Sequence, residues 1–436
     1  MQRSEKDTNS IIDKQYFLAG ATNIVTFTKR ALRWGVISVI IGVICGFAGA
    51  AFDLGVGACD RILAGHPVLI WFLPAAGILI VFLYKKLGVA GLTTDTVILA
   101  AQRGGKIKPL LLPAIFIGTA ITHLFGGSAG REGAAFQIGG VIGNWVSRFL
   151  KMDEKEIRFM TMSGMAALFA AIFGIPVTAT IFVVLVINVG TFWPGAIFPA
   201  LVASLSAFGI SSRFGVKATS YIVTQPEPSL SMYLRIIVLA ILAAFVSTLF
   251  CDVLHITGRA LKKFMRNSYL RIAVTGFGIA IIMNLLGTTA YSGSGTNLIE
   301  ASVAGDVSSP AVFLLKMILT ALTLGAGFKG GEVFPSFAIG ATFGAFMGPL
   351  LGIPASFAAS ICLVTVFGGC SNSLLAPLLL SVELFGGERL GLYALACVIA
   401  YIFSGYSGFY YNQKILFSKS SPSRIDIHTN EAYHDK

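Results

Sequence analysis

The sequence predicts an all-α polytopic membrane protein made of two inverted repeats with broken and tilted helices. Three observations predict it. The 436 residues are 55% hydrophobic and only 12% charged, with mean hydropathy +0.81, the composition of a chain that crosses a membrane many times. The 49 glycines repeatedly interrupt the apolar runs, so tilted and half-spanning helices are expected beside full spans. One such break, holding a carboxylate, occurs twice about 200 residues apart, as Gly130 to Gly140 and Gly330 to Gly340. Paired glycine-interrupted segments in two halves mark the binding site of many transporters.

Taken in order, residues 1–32 are polar and mixed in charge. They lack a signal-peptide pattern and are expected to form a cytoplasmic tail with a short amphipathic helix. Residues 34–57 form a first apolar run, with Asp53 and Asp60 at its end in a boundary or capping role. Residues 67–84 form a second span, anchored on the cytoplasmic side by Lys85 and Lys86. The stretch from Gly88 to Thr96 places glycine before Thr and Asp, a helix-start signature. Two apolar runs, 110–125 and 134–146, flank the first carboxylate break, and 148–158 is a charged loop. The run 160–173 stops at Gly174-Ile175-Pro176, 177–189 continues beyond it, and 194–208 is apolar again. A polar segment with Pro226 and Pro228, residues 213–229, links the repeats.

The second half repeats this plan. A long run, 232–254, precedes the cations Arg259, Lys262, Lys263, Arg266 and Arg271. A second glycine-led helix start, Ser292 to Asn297, carries Glu300 and is the partner of Gly88 to Thr96. The run 311–324 leads to Glu332, and the runs 337–351, 357–367, 374–385 and 390–403 follow. Gly405 to Tyr411 is expected to enter a last short helix, and the polar tail 419–436 to be disordered, with no soluble domain appended. The transport domain is thus 33–418, its repeats roughly 33–212 and 230–418.

The chemistry concentrates on Glu132 and Glu332. An ionisable residue between membrane helices is costly and is a functional hypothesis by default. Glycines around Glu132 free backbone N–H groups at a helix start, where the macrodipole is positive and anions bind. Glu132 is then an anion tethered to an anion site, and a free anion can compete with it. The plainer alternative for each glutamate is a cap on its own helix. The net charge of +12 reflects Lys and Arg in cytoplasmic loops, and no aromatic-interleaved basic patch argues for nucleic acid. The six cysteines lack paired spacing and read as buried small residues. His123, at the end of its apolar run, reads as a satisfied interior histidine. No cofactor is implied, and no hydrolase elbow or His-Glu-x-x-His motif supports an intramembrane enzyme.

These residues carry a resemblance. Gly130-Arg131-Glu132-Gly133, preceded by Gly126-Gly127-Ser128-Ala129, resembles the central motif of the chloride-channel (CLC) family of anion channels and proton-coupled antiporters. Gly330-Gly331-Glu332-Val333-Phe334-Pro335 is similar to the family's later glycine-rich motif, and the segments at Pro176 and Pro377 stand where the family has interface helices. The resemblance implies a multi-pass homodimer in the bacterial cell membrane, surrounded by lipid, with one anion pathway per subunit. It implies Glu132 as the gating and proton-carrying glutamate; Glu332 stands where the family commonly has an apolar residue, and as a second intramembrane carboxylate it points toward proton handling. The anion-contacting positions it implies are Gly130, Arg131 and Gly133, then Gly331, Val333 and Phe334, with Leu92 and Thr93 at the first motif. An inner-gate tyrosine comes from Tyr406, Tyr410 and Tyr411, of which Tyr410 is taken into the site.

The chain also departs from the family pattern. Gly91-Leu92-Thr93-Thr94-Asp95 stands where the family has Gly-Ser-Gly-Ile-Pro, and Leu185 and Val186 stand near the place of an internal glutamate. The Gly-Gly-Glu-Val start is similar to the fluoride/proton antiporter branch, which has Thr where this chain has Phe334. A chloride or fluoride antiporter and a passive Glu-gated chloride channel both remain open.

Overall fold

The computed structural model describes residues 2–191 and 193–431, with side chains from residue 24. Its frame is sixteen α-helices in two matching sets of eight. The first set is α1 (Gln2–Gly65), α2 (Leu73–Lys86), α3 (Thr94–Arg103), α4 (Leu111–Leu124), α5 (Glu132–Phe149), α6 (Glu154–Phe173), α7 (Pro176–Ile187) and α8 (Pro194–Ser211). The second is α9 (Leu230–Phe264), α10 (Ser268–Leu286), α11 (Thr296–Ala304), α12 (Pro310–Ala326), α13 (Val333–Leu350), α14 (Ala355–Ser371), α15 (Leu375–Phe385) and α16 (Leu390–Phe403). Seven helices among the described residues are long and apolar enough to cross a membrane.

Packing follows the same pairing. α5 lies on α6 as α13 lies on α14, α6 on α8 as α14 on α16, and α1 on α8 as α9 on α16. Contacts between the halves join α2 to α10, α7 to α15 and α5 to α13. Each of these three helix pairs joins an element to its own counterpart, as an approximate two-fold axis requires.

The four inner helices are held by close backbone approach. A Cβ on Gly139 or Gly143 of α5 would collide with backbone of α6 at Gly164 or Met160. A Cβ on Gly340 or Gly344 of α13 would collide with α14 at Cys362 or Ala358. In lipid, where apolar side chains gain little by leaving the solvent, this small-residue approach supplies the packing. The outer helices instead turn Phe47, Phe82, Phe245 and Phe277 outward, a surface suited to lipid.

Local signals set the boundaries. Asp153 caps α6 by accepting from the Glu156 amide at 2.8 Å, and Gly174, at φ 65°, ends it. The linker 213–229 is irregular except for one short turn, and is tied to the core where the Tyr221 amide donates to the Leu384 carbonyl at 2.8 Å.

Several expectations change. α1 runs unbroken through the predicted boundary at residues 32–33, and the amphipathic helix expected for the tail falls mostly on residues 1–23, whose side chains lie outside the described residues. Gly405 to Tyr411 enters no helix. It leads to a strand, because Phe409 and Gln413 find partners on the end of α14 and the chain then pairs as a sheet. The sheet joins β1 (Asn188–Val189), β2 (Lys414–Phe417) and β3 (Arg424–His428) in that order. The tail expected to be disordered therefore supplies β3. Its polar groups pair internally: the Thr429 amide donates to the Gln413 carbonyl at 3.0 Å, and Asn430 to the Gly408 carbonyl at 3.1 Å.

The glycine contacts give a stability prediction. Gly139→Leu should lower stability by about 1–3 kcal/mol or more, because α5 and α6 must separate. Thermal unfolding of purified protein in mild detergent checks it. A melting temperature equal to wild type would show that the close approach does not hold the fold.

Candidate functional site

The two carboxylate breaks meet. The Gly130 amide donates to the Gly331 carbonyl, and the Gly331 amide to the Gly130 carbonyl, both at 2.7 Å. This antiparallel pair is the only isolated bridge among the described residues. It brings the start of α5 to the start of α13, so two positive helix ends converge on one place. Gly126, at φ 82°, makes the turn after α4 that starts the approach.

Glu132 sits at that place and is fully buried. A Cβ on Gly130 or Gly331 would overlap its carboxylate. A Cβ on Gly133 would lie 2.9 Å from the Gly330 carbonyl oxygen and 3.1 Å from the Gly331 Cα. The glycines are therefore needed for space at the site as well as for turning. The amides of Arg131, Glu132 and Phe334 face the carboxylate, but none completes a hydrogen bond in distance and angle, and both oxygens are without a partner among the described residues. The carboxylate thus makes no side-chain cap on its own helix, against the capping alternative.

Apolar groups cover one side. Phe334 stacks on Phe173 at 4.5 Å between centroids and meets Phe337 at 4.9 Å. Val333 is fully buried beside it. Arg131 turns its guanidinium away, to Asp53 on α1 at 2.5 Å and to the face of Phe173. Arg131 therefore offers its amide to this place, and its charge is taken by Asp53.

A cavity of about 440 Å³ opens on the other side. Its lining includes Leu92, Thr93, Gln137, Glu332 and Tyr410 together with the cations Lys85, Arg259, Lys262, Arg271 and Lys329. Cations in a low-dielectric funnel concentrate anions. Glu332 is half-buried at the N-cap position of α13 and makes no cap bond. It lies within electrostatic reach of Glu132 and Asp95.

Of the three tyrosines, Tyr410 is buried and its hydroxyl faces Glu332 without a completed hydrogen bond. The Tyr406 hydroxyl pairs with Ser418 at 3.0 Å, and Tyr411 packs on the His255 ring at 4.3 Å. Tyr410 is placed from two directions. The Phe409 amide donates to the Cys370 carbonyl at 2.9 Å, and the Asn412 amide to Asp95 on α3 at 3.0 Å.

The structure therefore brings together Gly130, Glu132, Gly133, Gly331, Val333 and Phe334, and sets Leu92, Thr93, Glu332 and Tyr410 along the cavity. It corrects the reading of Asp53 and Asp60. Neither ends α1; Asp53 pairs with Arg131, and Asp60 meets His123 Nδ1 at 2.9 Å. His123 is only half satisfied, since its Nε2 has no partner among the described residues. Sequence reading missed Lys316, a wholly buried lysine on α12. The signal was present: a lone cation inside the run 311–324.

Comparison with known proteins agrees with this architecture. The family model for voltage gated chloride channels matches residues 76–405. A chloride/fluoride channel protein of Pseudomonas syringae pv. tomato is 33% identical over 416 residues, covering 92% of this chain and 91% of its own. An H(+)/Cl(-) exchange transporter of Salmonella typhi is 25% identical over 345 residues, 72% of this chain and 71% of its own. Among solved structures, a CLC-type fluoride/proton antiporter superposes with TM-score 0.84 at 34% identity, covering 88% of this chain and 98% of that one. A slow cyanobacterial Cl−/H+ antiporter shares the fold, with TM-score 0.73 at 19% identity over 85% of this chain and 94% of that one. The chain is a member of the voltage-gated chloride channel (CLC) family.

Proposed function

We propose that this protein carries a halide across the cell membrane in exchange for protons, and that Glu132 is its gate and proton carrier. One observation carries the reading. A fully buried carboxylate, without a hydrogen-bond partner among the described residues, stands where two helix starts converge. Ionised, it is held by the facing amides and the two helix ends, the position a halide also favours. Protonated, it loses that attraction and leaves the place to the halide. One site thus serves two anions in turn, and exchange follows from their exclusion of each other.

The cavity supplies the route on one side. Its cations gather the halide, and Glu332 and Tyr410 in its lining provide a titratable group and a hydroxyl, Glu332 within electrostatic reach of Glu132. Gly130, Arg131, Gly133, Gly331, Val333 and Phe334 contribute the backbone of the site, Arg131 and Phe334 by amides that face it. The similar proteins named for fluoride are 33% and 34% identical, against 25% for the chloride exchanger. Fluoride is therefore the first halide to test, with chloride beside it. A passive, Glu-gated channel is the second reading, because the Pseudomonas relative is named a channel.

The protein works as a homodimer on this reading. The α7 and α15 helices pack together and leave Val177, Leu375 and Val382 exposed on apolar helices. Glu383 of α15 accepts from the Val177 and Thr178 amides at 3.0 and 2.8 Å, fixing the two helices as one surface.

In liposomes, Glu132→Gln should keep halide flux and lose proton movement, since a carboxamide does not take up and release a proton. Wild-type proton coupling in this variant would remove Glu132 from the mechanism; a flux that has lost only its pH dependence, in a protein whose wild type moves no protons, would favour the channel. Glu332→Gln should slow proton-coupled flux at least about tenfold while leaving folded protein intact. Unchanged coupled flux would reduce Glu332 to a structural residue. Cross-linking or mass photometry in mild detergent should give a dimer, and monomers alone would refute that part.

A further inference from the structure

Lys316 stands at the middle of α12 with no exposed surface. Its ammonium donates three hydrogen bonds, to Ser128 Oγ at 3.1 Å, the Tyr291 carbonyl at 3.0 Å and the Gly293 carbonyl at 2.7 Å. All three acceptors are neutral, and among the described residues no carboxylate lies within ion-pair distance of it. Hydrogen bonds satisfy the protons of a buried ammonium, but its charge still needs a counter-charge.

The anions that act on it at longer range are Glu132 and Asp60. Asp60 is already bound to His123, and the neighbouring Arg131 to Asp53. Among the described residues, neither Glu132 nor Lys316 has an ion-pair partner of its own.

The lysine is also fixed in place. Thr320 and Thr323, one and two turns along the same face of α12, hold the same loop: Thr320 Oγ1 meets Ser128 Oγ at 3.1 Å, and the Ser128 amide donates to Thr323 Oγ1 at 3.1 Å. The Gly293 amide donates to the Gly127 carbonyl at 2.9 Å. The turn leading to Glu132, the turn leading to α11 and the middle of α12 are therefore one unit with Lys316 at its centre.

We propose that Lys316 is the fixed counter-charge of the exchange site and sets the affinity of whichever anion occupies it, the Glu132 carboxylate or the halide. When the carboxylate is neutralised and leaves, an entering halide restores the single negative charge that the lysine faces. A preorganised charge that cannot move with the anion stabilises it without reorganisation. Lys316 acts as a positioning and affinity-determining residue, since its ammonium is occupied by protein acceptors.

This inference rests on the reading of Glu132 as the gate, and the experiment separates the two. Halide uptake into liposomes is measured for wild type, Glu132→Gln, Lys316→Met and the double variant, each first shown to be folded by size-exclusion chromatography. In the Glu132→Gln background, Lys316→Met should raise the halide KM about tenfold, with maximal turnover changed much less. In the wild-type background the rise should be smaller, because the competing carboxylate is weakened together with the halide. Lys316→Gln, which retains hydrogen-bonding groups, should show the same pattern and covers poor packing of Met. An unchanged KM, or equal rises in both backgrounds, would overturn the counter-charge role and leave the lysine structural. Wild-type proton coupling in Glu132→Gln alone would instead overturn the gate.

Discussion

The structure depends on one reciprocal pair of hydrogen bonds, between Gly130 and Gly331. Backbone groups at membrane depth must find protein partners, because lipid offers none. Here each broken segment satisfies the other. The pair also forces the starts of α5 and α13 together and leaves no room for a side chain at the two glycines. The site, the two-fold relation of the halves and the glycine content of the motifs have the same origin.

Charge follows from that geometry. Two helix ends and a buried lysine make the centre attractive to one negative charge. Arg131, which would add to it, is paired with Asp53. The balance matters: a centre with too much positive charge would hold its anion, and transport requires release. The aromatic group of Phe173, Phe334 and Phe337 keeps one side dry, which strengthens each of these electrostatic effects.

Much of this was legible in the sequence. The 200-residue spacing of Glu132 and Glu332 predicted two matching halves, and the glycines around them predicted broken helices that meet. Both are local signals, since a glycine break is written in adjacent residues. Asp53, Asp60 and Lys316 were not legible as members of one centre, because the contacts that join them to it are distant in sequence: Asp60 to His123 spans 63 residues and Lys316 to Ser128 spans 188. Within their own runs they look like boundaries or stray charges. The final segment failed for a related reason. Gly405 to Tyr411 has no strand pattern of its own and turns toward β1 only because α14 ends beside it. Tyr410 could be separated from Tyr406 and Tyr411 only by what each hydroxyl and ring touches.

The central claim is that the Glu132 carboxylate and the halide exclude each other from one place. Proton uptake on halide binding tests it directly, by titrating purified protein in detergent with fluoride and with chloride in buffers of different ionisation enthalpy. The account predicts that wild type takes up protons as halide binds, because the displaced carboxylate is protonated, and that Glu132→Gln binds halide without uptake. Halide binding to wild type with no proton uptake, or equal uptake by both proteins, would contradict it.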